Sequence, residues 1–97
     1  MNKYESMVVL HGDLSPEDAN REHEAIMGLI KQLEGEILDA DQWGKRRLAY
    51  PIQKVNEGYY TVYTFNLDPT HLPELERHYR IQEEIIRYNV LVKDKEA

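Results

Sequence analysis

Along the chain, apolar and polar residues alternate with a period of two in some stretches and recur at helical spacing in others. Tyr4, Ser6, Val8 and Leu10 fall on one side of an extended segment, with Glu5, Met7 and Val9 on the other, which predicts a first strand over 4–10. His11-Gly12-Asp13 breaks it. Ser15 is then placed to cap a helix with its hydroxyl, Pro16 suits the first helical position, and Asp18 puts an acid beside the exposed N–H groups. Ala19, Ile26, Leu29, Ile30 and Leu33 follow at helical spacing and form one apolar stripe, and Gly35 supplies the stop.

Residues 36–53 read as a long second strand, interrupted at Trp43-Gly44, where a glycine inside a strand marks a bulge or a close backbone approach. Beyond it Leu48, Tyr50 and Ile52 share a side, and Pro51 suits an edge strand because it lacks a ladder donor. A turn is expected around Asn56-Glu57-Gly58, leading into a third strand over 59–67, so that the second and third strands form a hairpin. Alternation puts Tyr59, Thr61, Tyr63, Phe65 and Leu67 on the core side and Tyr60, Val62 and Thr64 on the other. Thr70 is the expected cap of a second helix that has Pro73 in its first turn and Leu72, Leu75 and Tyr79 on its stripe. Residues 85–92 make the last strand, and the chain is expected to fray from Lys93 to Ala97, with 94–97 the frayed end of the domain.

The order β-α-β-β-α-β defines an α+β fold in which two helices cover one face of a four-stranded antiparallel sheet. The other face is left uncovered. At 97 residues the chain is one domain, 1–97, with no repeat, linker or low-complexity tract.

Charge changes this picture in one place. The net charge of -6 argues against a simple polyphosphate binder. The total hides a split, however. Asp13, Glu17, Asp18, Glu22, Glu24, Glu34 and Glu36 face only Arg21 and Lys31 between 13 and 36, whereas between 41 and 54 Asp41 stands alone against Lys45, Arg46, Arg47 and Lys54. No apolar run approaches the ~18 residues of a membrane span, the start lacks the pattern of a signal peptide, and there is no cysteine for a disulfide or thiolate site. A cytoplasmic location is expected.

The sequence offers no reactive constellation. His23-Glu24 begins like a zinc-protease helix, but Met27 occupies the place of the second histidine. His71 and His78 are seven apart and read as two solvated histidines, so no metal and no cofactor is expected. Ser6 and Ser15 have no base nearby, and there is no glycine-rich phosphate loop. Gly58-Tyr59-Tyr60-Thr61-Val62-Tyr63 is a loose match to the aromatic signature of RNA-recognition motifs, but half of its rings must face the core.

The informative stretch is Trp43-Gly44-Lys45-Arg46-Arg47-Leu48-Ala49-Tyr50-Pro51-Ile52-Gln53. A strand anchored by its apolar residues can present Lys45 and Arg47 from its other side, with Arg46 emerging near the bulge, and guanidinium forks on a rigid scaffold meet phosphates or base edges. The run from Gly44 to Ile52 closely resembles the signature of bacterial small-subunit ribosomal protein six. Tyr4-Glu5, Gly58-Tyr59 and Arg87 also match that family, so the resemblance spans nearly the whole chain. It implies a ferredoxin-like fold and a non-enzymatic component of the small subunit. It further implies a protein that binds the central domain of small-subunit ribosomal RNA as a heterodimer with ribosomal protein eighteen.

A basic partner would explain an acidic chain with only a local cationic patch. The expected RNA contacts are Lys3, Arg46, Arg47, Lys54 and Arg87, and the expected partner-facing residues are Tyr60 and Val62. One departure weakens an N-terminal contact: Asn2 stands before Lys3 where family members often carry a second basic residue. The alternatives on the same architecture are a small acylphosphatase-like enzyme, for which His11-Gly12-Asp13-Leu14 offers no anion loop, and a ligand-sensing regulatory domain.

Overall fold

Four strands and two helices alternate in the expected order. In the computed structural model, which describes residues 1–52 and 55–94 and the side chains of all these but 49–52 and 55, the elements are β1 (Asn2–His11), α1 (Pro16–Gln32), β2 (Glu36–Ile52), β3 (Val55–Leu67), a single 3-10 turn (Pro69–His71), α2 (Leu72–Ile81) and β4 (Ile85–Asp94). All pairings are antiparallel and the sheet order is β2-β3-β1-β4, so β2 and β4 are the edges. Pro51 therefore lies on an edge strand, the setting in which a proline is tolerated within a sheet.

Local chemistry explains where the helices start and stop. Ser15 caps α1 as expected, its Oγ accepting from Asp18 N at 3.1 Å. At the other end the left-handed residue is Glu34, with φ of 65°, and not Gly35. Glu34 N donates to Lys31 O and Gly35 N to Ile30 O at 2.8 Å, which satisfies the last carbonyls. Gly35 is needed for space instead: a Cβ there would lie 2.9 Å from both Asn66 O and Ile30 O. The start of α2 also differs from expectation. Asp68 accepts from Thr70 N at 2.9 Å and from the Thr70 hydroxyl at 2.8 Å, so Thr70 is a donor inside the 3-10 turn and Asp68 is the cap. These bonds, the backbone one first, hold the Asp68 carboxyl below its usual value.

The bulge falls where the interruption at Trp43-Gly44 placed it. The β2–β3 register shifts between Gln42 and Gly44, and Gly44 has φ of +80°. The hairpin turn does not fall at Asn56-Glu57-Gly58, because Ile52 pairs with Val55 and Gly58 pairs with Arg46 inside the ladder. Gly58 is instead a close-approach position: a Cβ would lie 2.5 Å from Val9 Cγ1 and 2.9 Å from Leu10 O. Residues 53–54, between the paired Ile52 and Val55, lie outside the described residues. Lys93 and Asp94 belong to β4, and 95–97 are likewise outside the described residues.

The alternation in β3 sorts as expected. Thr61, Tyr63, Phe65 and Leu67 are buried beneath the helices, where they join Tyr4, Val8 and Leu10 of β1, Ala19, Ile26, Ile30 and Leu33 of α1, and Leu75 and Tyr79 of α2. Its two buried polar bonds cross between elements: Ser6 Oγ donates to Tyr79 Oη at 2.9 Å, and His23 Nδ1 meets Tyr63 Oη at 2.8 Å. Burial raises the pKa of both tyrosines, which keeps them protonated.

Candidate nucleic-acid interface

The uncovered sheet face is built in rungs. Facing residues on neighbouring strands share a side. One rung runs Gly44–Tyr60–Val9–Arg87, the next Asp41–Val62–Met7–Asn89, then Asp39–Thr64–Glu5–Leu91, and last Glu36–Asn66–Lys3–Asp94. At the hairpin end Arg46 faces Gly58 on the same side. Leu48 is buried against Val9, with Tyr60 and Ile86 packed beside them, so the hairpin leans over this end of the face.

The two ends of the face carry opposite charge. Arg46 and Arg47 are exposed on the hairpin and Arg87 is exposed on β4, across about 14 Å of sheet at ~4.8 Å per strand spacing. Among the described residues no carboxylate pairs with any of the three. Arg46 is oriented by its own strand, its Nε donating to Trp43 O at 3.2 Å. At the far end Glu5, Glu36, Asp39 and Asp94 gather, with Asp41 beside them. Between the ends lies an apolar strip of Met7, Tyr60 and Val62, with Trp43 41% exposed at its β2 edge and Leu91 51% exposed toward the acidic end.

Of the expected RNA contacts, Arg46, Arg47 and Arg87 are brought to one end of the sheet. Lys3 is not. It lies three rungs from Arg87, roughly 20 Å at ~3.4 Å per residue, and faces Asp94 in the acidic half, because β1 enters the sheet at the opposite end from the hairpin. Lys54 lies outside the described residues. Lys45 and Arg47 share a side as expected, but it is the helix side: Lys45 faces Tyr59, with Nζ 5.8 Å from the ring centroid, and Arg47 faces Glu57.

Tyr60 and Val62 sit in the middle of the open face. The residue that sequence reasoning missed there is Trp43. Its ring stacks on Tyr60 with centroids 6.0 Å apart and planes 9° from parallel, and its Nε1 donates to Asp41 at 3.0 Å. The available signal was the bulge itself, since an extra residue re-aims a side chain onto a neighbouring strand.

The histidines were misread in one respect. His78 is not solvated: its Nε2 lies 2.9 Å from the Glu22 carboxylate, which also accepts from Gln82 at 2.9 Å and is itself buried. His71 stands apart at the start of α2. Among the described residues no group of three or more His, Cys, Asp or Glu could hold a metal, and no helix is long and apolar enough to cross a membrane.

A helix-backed antiparallel sheet in the order β-α-β-β-α-β, with one face bare and charge-polarised, defines a ferredoxin-like domain. The particular family follows from comparison. The family model for ribosomal protein S6 matches residues 3–92, and the chain belongs to that family. Small ribosomal subunit protein bS6 of Clostridium kluyveri is 47% identical over 95 residues, covering 98% of this chain and 99% of that protein. The bS6 protein of Dictyoglomus turgidum is 44% identical over 96 residues, covering 99% of each. Among solved structures, 30S ribosomal protein S6 from Thermotoga maritima superposes with a TM-score of 0.91 at 35% identity, covering 95% of this chain and 87% of that one. The C-terminal domain of the MgtC protein of Mycobacterium tuberculosis, with a TM-score of 0.66 at 10% identity, shares the fold alone. The chain is thus a structural protein of the small ribosomal subunit and not an enzyme.

Proposed function

We propose that this chain binds small-subunit ribosomal RNA, in its central domain, as a heterodimer with ribosomal protein eighteen. The observation that carries the reading is the polarised open face, with Arg46 and Arg87 at one end and Arg47 beside them on the helix side of the same hairpin, an apolar strip in the middle and a carboxylate cluster at the other end. Arg46, Arg47 and Arg87 serve RNA phosphates, where charge-assisted bonds are short and directional. Tyr60, Val62 and the stacked Trp43 serve the protein partner. The carboxylates of Glu5, Glu36, Asp39 and Asp41 favour a basic partner over RNA at their end of the face, since a bare polyanion is repelled there.

A basic partner reverses the field of a chain with net charge -6. The lone chain is expected to bind ribosomal RNA weakly near 0.15 M salt, where screening acts over about 8 Å, and tightly once ribosomal protein eighteen is added. Lys3 is a poor candidate in its acidic setting. The test is a salt titration of RNA binding by the wild-type and Arg46→Ala/Arg47→Ala chains, each with and without the partner. The double substitution should weaken the ternary complex and flatten its salt dependence. Tight binding by the lone chain, or a ternary complex indifferent to the substitution, would overturn the mechanism.

A further inference from the structure

On the helix side of the sheet, a cleft of about 420 Å³ opens between the first two turns of α1 and the bulge of β2. Pro16, Ala19, Asn20 and His23 come from one face of α1, at spacings of three and four, and Gln42, Tyr59 and Thr61 come from the two strands. Its lining contains no Asp, Glu, Lys or Arg. Its polar side chains are the carboxamides of Asn20 and Gln42, the His23 imidazole, the Thr61 hydroxyl, and the polar ends of Trp43, Tyr59 and Tyr60, of which the Trp43 N–H is taken by Asp41 and the Tyr59 hydroxyl by Leu14 O.

One of these groups is built in. His23 is only 8% exposed, and its Nδ1 is held by the Tyr63 hydroxyl at 2.8 Å with the two rings stacked at 5.4 Å. The ring is therefore fixed in orientation. Its Nε2 has no hydrogen-bond partner among the described residues and is not sealed in the core, so it is left to the cleft that the ring lines. Asn20 and Gln42, both exposed, stand on opposite walls with amides that can donate and accept. A wall of the cleft is the Tyr59 ring, itself fixed by its hydroxyl donating to Leu14 O at 3.0 Å, and Lys45 stands over that ring.

We infer that this cleft is a subsite for one unpaired nucleobase, an assignment that rests on the RNA-binding reading above. An uncharged lining with mixed donors and acceptors disfavours both anions and cations, which would be desolvated without a counter-charge. It suits the edge of a neutral, planar heterocycle. The cation belongs at the rim, where Lys45 can meet the phosphate attached to that base, and among the described residues no carboxylate pairs with Lys45. A carboxamide side chain of a protein would match the walls but has no use for the lysine. Trp43 and Tyr60 line both this cleft and the apolar strip, so a base held here would meet the partner surface at the bulge, with Val62 outside the cleft.

The experiment titrates adenosine and uridine 5′-monophosphates, and N-acetylglutamine amide as the protein mimic, into the full chain while nuclear magnetic resonance follows the Asn20 and Gln42 side-chain amides and the His23 ring nitrogens. At least one nucleotide should move these signals together, and Asn20→Ala/Gln42→Ala, at two exposed positions, should weaken that binding at least tenfold. His23→Phe, which keeps the ring, should weaken it as well. Response to neither nucleotide, or an equal or stronger response to the amide, would overturn the assignment. The ternary RNA complex separates the two levels: if it depends on Arg46 and Arg47 while the cleft stays silent, the subsite is wrong and the functional reading stands. If no RNA complex forms at all, the functional reading itself fails.

Discussion

The two faces of one sheet solve different problems with neighbouring residues of the same strands. On β3, Tyr63 and Phe65 are buried, and their faces and edges are fully used by α1, α2 and β1. Tyr60 and Val62, one step away on the strand, remain half-buried and touch only sheet neighbours. The covered face holds its polar groups in hydrogen bonds, as Ser6 with Tyr79, His23 with Tyr63, and Glu22 with His78 and Gln82. The open face varies along its length, from arginines to carboxylates. Stability resides on the first, and the proposed partner contact on the second.

The sharpest break of that comparison is to truncate one residue on each face. Phe65→Ala should destabilise the fold by about 3–5 kcal/mol, through lost burial and the cavity left beside Tyr4, whose ring lies 5.7 Å away. Val62→Ala should cost about 1 kcal/mol or less, because its side chain is only half removed from water, yet it should weaken binding of ribosomal protein eighteen. Chemical denaturation and a partner-binding titration on both variants check this. Comparable stability losses would show that the open face is structural too.

Two glycines sharpen the comparison next, because each is required for a different reason. Gly58→Ala sets a Cβ against Val9 and Leu10, and overpacking of this kind costs about 1–3 kcal/mol. Gly44→Val meets no atom within 4 Å but forces a β-branched residue to φ of +80°, roughly 1–2 kcal/mol of backbone strain. Asparagine tells them apart. Gly44→Asn should recover part of the loss, since asparagine visits the left-handed region, whereas Gly58→Asn should be no better than Gly58→Ala. Denaturation midpoints of the four variants decide it. Recovery at Gly58 would mean that backbone conformation, and not the approach of β1, selects that glycine.

What was legible in the sequence follows the same division. Periodicity located every strand and helix and sorted β3 correctly, because a period of two has only two solutions once one side carries Tyr63, Phe65 and Leu67. Local punctuation was less reliable. Asn56-Glu57-Gly58 has the composition of a turn, but Gly58 answers to the neighbouring strand β1, which no local pattern records. Asp68 and Thr70 are both capping residues two apart, and the 3-10 turn inserted before α2 decided between them. His23-Glu24 begins a metal-ligand pattern that Met27 ends, yet His23 fits the apolar stripe: Ala19, His23, Ile26, Ile30 and Leu33 are spaced four, three, four and three. Reading it as core needed a partner 40 positions away. The signature around Gly44 to Ile52 identified the family, but not that β1 would carry Lys3 to the acidic end.

The smallest effect expected is a pH dependence that belongs to the covered face alone. Burial holds the His23 imidazole below its ordinary value of 6.5, with the nearby Glu24 opposing more weakly. As pH falls through 6.5, the unfolded chain takes up a proton at His23 that the folded chain resists, so more protons are bound in the unfolded state and stability declines. The contribution is complete above that pH and is lost below it. His23→Phe removes the titration while keeping a ring over Tyr63, and His11, His71 and His78 are common to both proteins, so their effects cancel in the difference. Urea denaturation of the two chains between pH 8 and about pH 5.5 should show wild type losing ground to the variant as the solution is acidified, with the change beginning near the ordinary histidine value. A constant difference would mean that the ring protonates as easily in the fold as outside it. The Tyr63 bond would then tolerate an imidazolium, and the covered face would be less dry around His23 than its packing implies.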